Sequence, residues 1–251
     1  MKRFFLYFLV LLISIPFFSH SMPWLIIANG PHLSIHELTS HFQNHRVLAL
    51  DGAANHLQTL SLFPHVILGD FDSIEEPAYW GIVDTFKTID ENSQPYQGSF
   101  EVSIVPAKDQ NYTDLEKAII YCDHIESESI LVLQAVGGRM DHTLGNLGLL
   151  RKYYQQKRMI TIQTEMEQIF FLKDAKVIVS HGEGGTCAIM AYPEAFMTTS
   201  GLAYNGIEYP LVIGIQESIC NTILESPAEL SIKGEALIIL PKSATFILED
   251  Y

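Results

Sequence analysis

The sequence has few cysteines and little positive charge, and both shortages argue against whole classes of protein. Only three cysteines occur in 251 residues, at positions 122, 187 and 220, and none forms a CxxC pair. This spacing argues against a disulfide scaffold and is typical of reduced thiols. Fifteen Lys and Arg residues stand against 29 Asp and Glu residues, a net charge of −14. Because nucleic-acid affinity comes largely from Lys and Arg, we expect no nucleic-acid partner.

The first 21 residues differ from the rest of the chain. A Lys-Arg pair at positions 2 and 3 precedes the apolar run Phe4–Ile15, and Ser19-His20-Ser21 places small residues at candidate cleavage positions. This pattern is typical of a secretory signal peptide, and the run is short for a membrane-spanning helix. A second interpretation takes Met22 as the true start, since a strand-like sequence follows it directly.

From residue 22 to 157, short apolar runs alternate with segments of helical period. This pattern predicts an α/β domain with a mostly parallel sheet. The predicted strands are Trp24–Ala28, Val47–Leu50, Val66–Leu68, Val102–Val105 and Ile130–Val136, and the predicted helices are Ile35–Phe42, Ala53–Leu62, Asp114–Ile125 and His142–Tyr154. The polar stretch Asp84–Phe100 predicts a loop.

From residue 158 to 251, short β-type runs are divided by Gly, Pro, Ser and Asn, and no helical pattern intervenes. The predicted strands are Ile160–Gln163, Gln168–Leu172, Lys176–Val179, Thr186–Ala191, Leu211–Ile215, Glu229–Ile232 and Ala236–Leu240. Such a series is typical of an antiparallel sandwich or barrel. We therefore predict an α/β N-terminal domain, residues 22–157, followed by an all-β, sandwich-like C-terminal domain, residues 158–251.

Acidic residues follow four strands of the predicted α/β domain. They are Asp51, then Asp70 and Asp72, then Asp109 and Asp114, and finally Asp141. Each acid alone is explained as a turn, a helix cap or a solvated charge. In a parallel sheet, however, these strand ends share one edge, where ligands bind. Crowded carboxylates repel one another unless a cation lies among them, and Mg²⁺ with a phosphate substrate suits such ligands.

The segment Gly137-Gly138-Arg139-Met140-Asp141-His142 follows the last strand of this domain. Two glycines permit close approach of the backbone to a ligand, and the start of the next helix favours an anion. The guanidinium of Arg139 would bind phosphate oxygens. In isolation, the segment is equally typical of an anion-binding turn and of a glycine turn with a surface arginine.

In order and spacing, these motifs resemble the thiamine pyrophosphokinase family. The similarity lies in LGDFDSI at residues 68–74, Thr113-Asp114, and GGRMDH at residues 137–142 with Asn146 after it. It extends to residues 48–55, and residues 199–205 and 217–221 resemble the family's thiamine-binding β-domain. It runs from Met22 to the C-terminus.

The resemblance implies transfer of pyrophosphate from ATP to the hydroxyl of thiamine, with Mg²⁺ as cofactor, giving thiamine diphosphate and AMP. It also implies a homodimer that binds thiamine between the nucleotide domain of one subunit and the β-domain of the other. The implied metal ligands are Asp51, Asp70, Asp72 and Asp114, the nucleotide contacts are Asn55, Gln110, Thr113, Gly137, Gly138 and Arg139, and the thiamine contacts are Tyr204, Ser218 and Asn221. The implied catalytic residues are Asp72, Arg139 and Asp141, and either Asp72 or Asp141 would accept the hydroxyl proton.

Three positions depart from the family pattern. Asn111 stands where Asp is usual, Ala53 where Gly is usual, and Cys220 where Ser or Thr is common. Asn111 gives the acidic loop one negative charge fewer, and Cys220 lies where the resemblance places the pyrimidine side of the thiamine site.

Two alternative functions stay open. One is an exported thiamine-binding protein that uses the leader, and the other is a different Mg²⁺-dependent nucleotide phosphotransferase. Because the reaction needs ATP, we expect a cytoplasmic protein that starts at Met22 and has no membrane contact apart from the leader. A genuine signal peptide would instead make it secreted or periplasmic.

Overall fold

A computed structural model describes residues 22–83, 88–90, 92–123, 129–155 and 158–249. The predicted leader, residues 1–21, lies outside the described residues, as do the C-terminal end of the third predicted helix and positions 156 and 157 at the predicted domain boundary. No helix in the described ranges is both long enough and apolar enough to cross a membrane.

The N-terminal part alternates strands with helices, which confirms the α/β prediction. The strands are β1 (Trp24–Ile27), β2 (Arg46–Leu50), β3 (Val66–Gly69), β4 (Tyr96–Gln97), β5 (Ser103–Pro106) and β6 (Ser129–Leu133). The helices are α1 (Ile35–Phe42), α2 (Ala53–Thr59), α3 (Pro77–Trp80), α4 (Asp114–Asp123) and α5 (Met140–Lys152). Strand β4 lies inside the stretch predicted as a loop, and a 3-10 turn at Ser99–Glu101 overlaps its end.

The sheet of this part is parallel except at one end. Strand β7 (Met159–Gln163) begins the order β7-β6-β1-β2-β3-β5, in which every neighbouring pair is parallel, and β4 adds antiparallel to β5. Successive residues of β1 enter different buried clusters, Leu25 and Ile27 on one face and Ile26 on the other. Because the strands run parallel, their carboxyl ends lie at one shared edge of the sheet. Both faces of the sheet are covered, so this edge is where ligands can bind.

The C-terminal part consists of strands, as predicted. They are β8 (Glu167–Ser180), β9 (Thr186–Ser200), β10 (Tyr209–Val212), β11 (Ser218–Thr222), β12 (Ala228–Pro241) and β13 (Thr245–Glu249), and all pair antiparallel. The separate runs predicted within 168–179 and within 229–240 were wrong, since each pair forms one long strand. Asp174 and Gly234 look like turn residues in the sequence, but they lie at a bulge, where the Gly234 N–H donates to Asp174 Oδ1 at 2.8 Å.

The two parts share a sheet and a core. Strand β7 pairs parallel with β6 and antiparallel with β8, so the described strands form one continuous thirteen-stranded sheet. Phe171 and Leu237 of the C-terminal part pack in the same buried cluster as Ile26 of β1. The mixed sheet with helices and the strand-rich second part agree with the predicted fold class, whereas the division at residue 157 stays a prediction.

Candidate active site

Three acidic side chains meet at the carboxyl edge of the sheet. Asp51 follows β2 directly, and Asp70 and Asp72 follow β3. One carboxylate oxygen from each lies within 4.8 Å of the others. The absence of a side chain at Gly69 permits this approach, since a Cβ there would lie 2.8 Å from Asp51 Cβ. The structure therefore brings together three of the four predicted metal ligands.

The environment of Asp51 fits a cation. The residue is only 4% exposed, and its Oδ1 has no hydrogen-bond partner among the described residues. Burial first, and then the charges of Asp114, Asp70 and Asp72, raise the pKa of Asp51 to about 8. A divalent cation would offset this repulsion and provide a partner for the unbonded oxygen. Carboxylate oxygens are hard ligands of the kind that Mg²⁺ prefers, and the ion usually takes one or two of them together with waters and phosphate oxygens.

Asp114, the fourth predicted ligand, lies at the start of α4 but outside this group of three. Its Oδ1 is 3.0 Å from Nζ of Lys117, and the lysine also donates to the carbonyl of Ala107 at 2.8 Å. Asp114 is nevertheless close enough to raise the pKa of Asp51. The sequence analysis missed Lys117, although its position three residues after Asp114 on a helix indicates an ion pair.

Gln110, one of the predicted nucleotide contacts, holds the acidic edge in shape. Its Nε2 donates to Asp70 Oδ2 at 2.9 Å and to the carbonyl of Lys108 at 3.1 Å. Asn111, which stands where the family usually has Asp, stabilises the same loop after β5. Its backbone N–H and its Nδ2 both donate to Asp109 Oδ1, at 2.9 and 2.7 Å.

Asn55 and Thr113, also predicted as nucleotide contacts, bond to backbone in the structure. Asn55 Nδ2 donates to the carbonyl of Ser73 at 2.8 Å, and its Oδ1 accepts from the Glu75 N–H at 3.0 Å, which fixes the loop after β3. Thr113 Oγ1 accepts from the Glu116 N–H at 3.3 Å and caps α4.

Arg139 and Asp141 form a bidentate ion pair at the start of α5. Nη2 of Arg139 is 2.5 Å from Oδ2 of Asp141, and Nε is 3.1 Å from Oδ1. The hydrogen bond from Arg139 lowers the pKa of Asp141 to about 2. Both side chains are exposed. Gly137 has a φ of 93°, which agrees with the need for glycine at this turn.

The three predicted thiamine contacts lie together on the C-terminal part. Asn221 is 2% exposed, and its Oδ1 accepts from the Tyr204 N–H at 3.0 Å while its Nδ2 donates to the Tyr204 carbonyl at 2.7 Å. Nδ2 also lies 3.5 Å from Ser218 Oγ. Asn221 therefore fixes the backbone of Tyr204, whose side chain is 76% exposed.

Comparison with known proteins finds thiamine pyrophosphokinases. The family model described as "Thiamin pyrophosphokinase, catalytic domain" matches residues 38–162. The chain is 31% identical over 188 residues to thiamine pyrophosphokinase 2 of Arabidopsis thaliana, covering 63% of each protein. It is 25% identical over 222 residues to thiamine pyrophosphokinase of Bacillus subtilis, covering 86% of this chain and 96% of the relative.

A solved structure of similar architecture completes the comparison. The crystal structure of the Bacillus subtilis thiamine pyrophosphokinase matches with a TM-score of 0.72 at 22% identity, covering 87% of this chain and 98% of that chain. The mixed sheet and the strand-rich second part place both chains in one fold class. The chain belongs to the thiamin pyrophosphokinase family. It spans 43% and 63% of the length of the matched Caenorhabditis elegans and Arabidopsis thaliana relatives.

Proposed function

We propose that this protein is a thiamine diphosphokinase, which transfers the pyrophosphoryl group of ATP to the hydroxyl of thiamine and releases AMP. The observation that carries the proposal is the cluster of Asp51, Asp70 and Asp72 at the carboxyl edge of the sheet, in a chain of this family. A protein that only bound thiamine would have no use for unpaired acids on the phosphate side.

Asp70 and Asp72, with Asp51 behind them, would hold Mg²⁺. When bound, Mg²⁺ supplies the positive charge that this acidic edge lacks and that the phosphates of ATP require. The unpartnered oxygen of Asp51 and its raised pKa support this assignment. Asp114 would lie outside this group of three metal ligands. It would influence the site through its charge, while it stays paired with Lys117.

Arg139 would bind the phosphates of ATP. Its ion pair with Asp141 is exposed, and exposed pairs cost little to open. Asp141 is a weak base while Arg139 holds it, because the pair lowers its pKa to about 2. When the guanidinium turns to phosphate, Asp141 becomes a stronger base and, with Asp72, is a candidate to accept the hydroxyl proton. Catalysis would then consist mostly of positioning and electrostatic stabilisation.

Thiamine would lie against Tyr204, since an exposed aromatic face suits the cationic thiazolium ring. Ser218 and Asn221 border the same place, Ser218 as a polar contact and Asn221 as the group that holds Tyr204.

A homodimer would bring the two binding surfaces together. Exposed apolar side chains occur on the C-terminal part, at Ile207 (87%) and Ile215 (83%), and on α5, at Met140 (68%) and Leu144 (62%). Packing the C-terminal part of one subunit against α5 of the other would remove both groups from water. It would also bring Tyr204 toward the acidic edge of the neighbouring subunit.

We further propose that residues 22–157 form the nucleotide domain and residues 158–251 the thiamine domain, and that the protein acts in the cytoplasm, where ATP is available. N-terminal sequencing of the protein made from its native gene, combined with cell fractionation, tests the second point. Cleavage after Ser21 in a periplasmic fraction would contradict it.

Product analysis tests the proposed reaction. The purified protein with ATP, thiamine and Mg²⁺ is expected to form AMP and thiamine diphosphate in equal amounts. Formation of ADP or free phosphate would identify a different phosphotransferase. Binding of thiamine without consumption of ATP would favour the thiamine-binding protein.

A further inference from the structure

Gln134 has an unusual backbone for its residue type. It follows β6 directly and has a φ of 58°, in the left-handed region that favours glycine. This conformation ends the strand at Leu133, so the strand predicted over residues 130–136 was too long. Gln134 is also only 4% exposed. A buried, non-glycine residue keeps such a conformation when its surroundings hold it there.

The side-chain amide of Gln134 joins three segments of the chain. Its Nε2 donates to the carbonyl of Ala28 at 3.1 Å, and its Oε1 accepts from the Leu33 N–H and from Nδ1 of His56, at 3.1 and 3.2 Å. The opposite orientation of the amide would set its oxygen against the Ala28 oxygen and its nitrogen against two donors. The amide thus binds the end of β1, the loop that follows it and helix α2.

The loop after β1, residues 29–34, contacts the two turns assigned to the metal and the phosphates. The Asn29 side chain lies so close to Gly52, next to Asp51, that a Cβ at Gly52 would be 2.3 Å from Asn29 Nδ2. Pro31 lies beside the phosphate turn, 3.5 Å from the place of a Cβ at Gly137.

Two further contacts anchor this loop beside Gln134. A Cβ at Gly30 would lie 2.1 Å from the Gln134 carbonyl oxygen, so the two backbones are in close contact. The ring of His32 stacks on the ring of His56 with centroids 3.8 Å apart and planes 3° from parallel. Both histidines therefore belong to the same assembly as the amide.

We propose that Gln134 is a positioning residue whose amide fixes loop 29–34 and thereby sets the geometry of the Asp51 turn relative to the Gly137-Gly138 turn. Without the three hydrogen bonds, the Gly30 contact and the stack of His32 on His56 still hold the loop, but the common support of the two turns weakens. This inference depends on the proposed function, because ATP would bridge the two turns. Gln134 does not touch the reacting atoms, and it acts through the loop.

Three variants test the proposal, Gln134→Leu and Gln134→Gly by kinetics and Gln134→Glu by NMR. Gln134→Leu keeps the approximate size and removes all three hydrogen bonds, and Gln134→Glu keeps the acceptor and removes the donor to Ala28. Gln134→Gly removes the amide and also the cost of the left-handed backbone. We expect the KM for ATP to rise about 10-fold in Gln134→Leu and Gln134→Gly, as for the loss of about 1.4 kcal/mol of binding. The KM for thiamine should change less than twofold.

The glycine variant separates positioning from stability, because it relieves the backbone while it removes the anchor. The control is Gln163→Leu, at the end of the neighbouring strand β7, which should leave both KM values unchanged. An ATP KM within twofold of the wild-type value in Gln134→Gly would overturn the proposal.

Two NMR measurements test the hydrogen bonds without any enzyme assay. The carboxylate that Gln134→Glu introduces would stabilise the imidazolium of His56, so the midpoint of the His56 titration should move up by about one pH unit. The Leu33 amide should exchange with solvent at least about 10-fold faster in Gln134→Gly. If wild-type protein converts no ATP, the proposed function fails. An unchanged His56 midpoint or an unchanged Leu33 exchange rate refutes the role of Gln134 separately.

Discussion

Two groups of carboxylates in this molecule differ in their partners. Glu116 is 7% exposed and is bound by Lys152 and by the hydroxyl of Tyr153. Asp51 is 4% exposed, yet within the described ranges no Lys, Arg or His nitrogen lies within 4.0 Å of its carboxylate. The same is true of Asp70 and Asp72 at the edge of the sheet.

The difference also appears in the electrostatics. Glu235 of β12 lies 2.8 Å from Lys173 and 2.7 Å from Arg151, and these cations lower its pKa. Burial and neighbouring acids instead raise the pKa of Asp51. The fold thus pairs Glu116 and Glu235 with cationic side chains, whereas it leaves the acids of the edge in need of a cation. Four experiments test this contrast.

The largest effect is expected from Asp72→Asn. The substitution keeps the shape of the side chain and removes one charge from the edge, which weakens Mg²⁺ and phosphate binding together. We expect kcat/KM to fall at least about 100-fold, equal to about 2.7 kcal/mol of transition-state stabilisation. Steady-state assay of AMP formation measures it. Glu235→Gln, in the paired group, is the matched control and should stay within about twofold of wild type. Near-normal turnover of Asp72→Asn would remove the metal role.

The next largest effect is expected in the pH dependence of stability. The folded pKa of Asp51, about 8, exceeds its unfolded value of 3.8, so the folded state retains a proton that the unfolded chain has lost. Without Mg²⁺, stability should therefore fall as pH rises from about 4 to about 8. Asp51→Asn should abolish this fall and raise Tm at the upper end of the range by about 5 °C.

Thermal unfolding with a chelator and with Mg²⁺ measures both effects. Mg²⁺ should stabilise the wild-type protein more at high pH, where it no longer displaces a proton, and should stabilise Asp51→Asn much less. Equal stabilisation of the two proteins by Mg²⁺ would show that Asp51 is outside the metal site.

A smaller effect is expected from Arg139→Gln. Loss of the guanidinium should raise the KM for ATP about 10-fold, because one charge-assisted contact with phosphate is lost. The Tm should change little, since the side chains of Arg139 and Asp141 are exposed. Parallel kinetic and thermal measurements distinguish these results, and a lower Tm with unchanged KM would assign the pair to stability instead.

The smallest effect is expected from Glu116→Gln, in the paired group. The amide still accepts a hydrogen bond from Tyr153 but no longer carries the charge that faces Lys152, so unfolding should become easier by about 1 kcal/mol. Denaturant titration measures this change. Activity should stay at the wild-type level, and a large loss of turnover would show that the two groups of acids are not separate in function.

The acidic edge could be predicted because two local patterns occur together there, a buried strand and acidic residues directly after it. Val66–Leu68 reads as a buried strand, and Asp70 and Asp72 follow it at once, so a parallel sheet must carry them to the edge. The bulge in the long C-terminal strands could not be predicted in the same way. Asp174 and Gly234 have the composition of a turn, and only the shift of register between the paired strands β8 and β12 identifies a bulge there.

From the sequence alone we could predict the alternation of strands and helices in the first part, the strand-rich second part and the acids that reach the edge, because periodicity and strand ends are local properties. The fold of the chain decided that the amide of Gln110 binds Asp70 and that the amide of Gln134 joins three segments. It also decided the raised pKa of Asp51, because burial and repulsion are summed over groups that lie far apart in the chain.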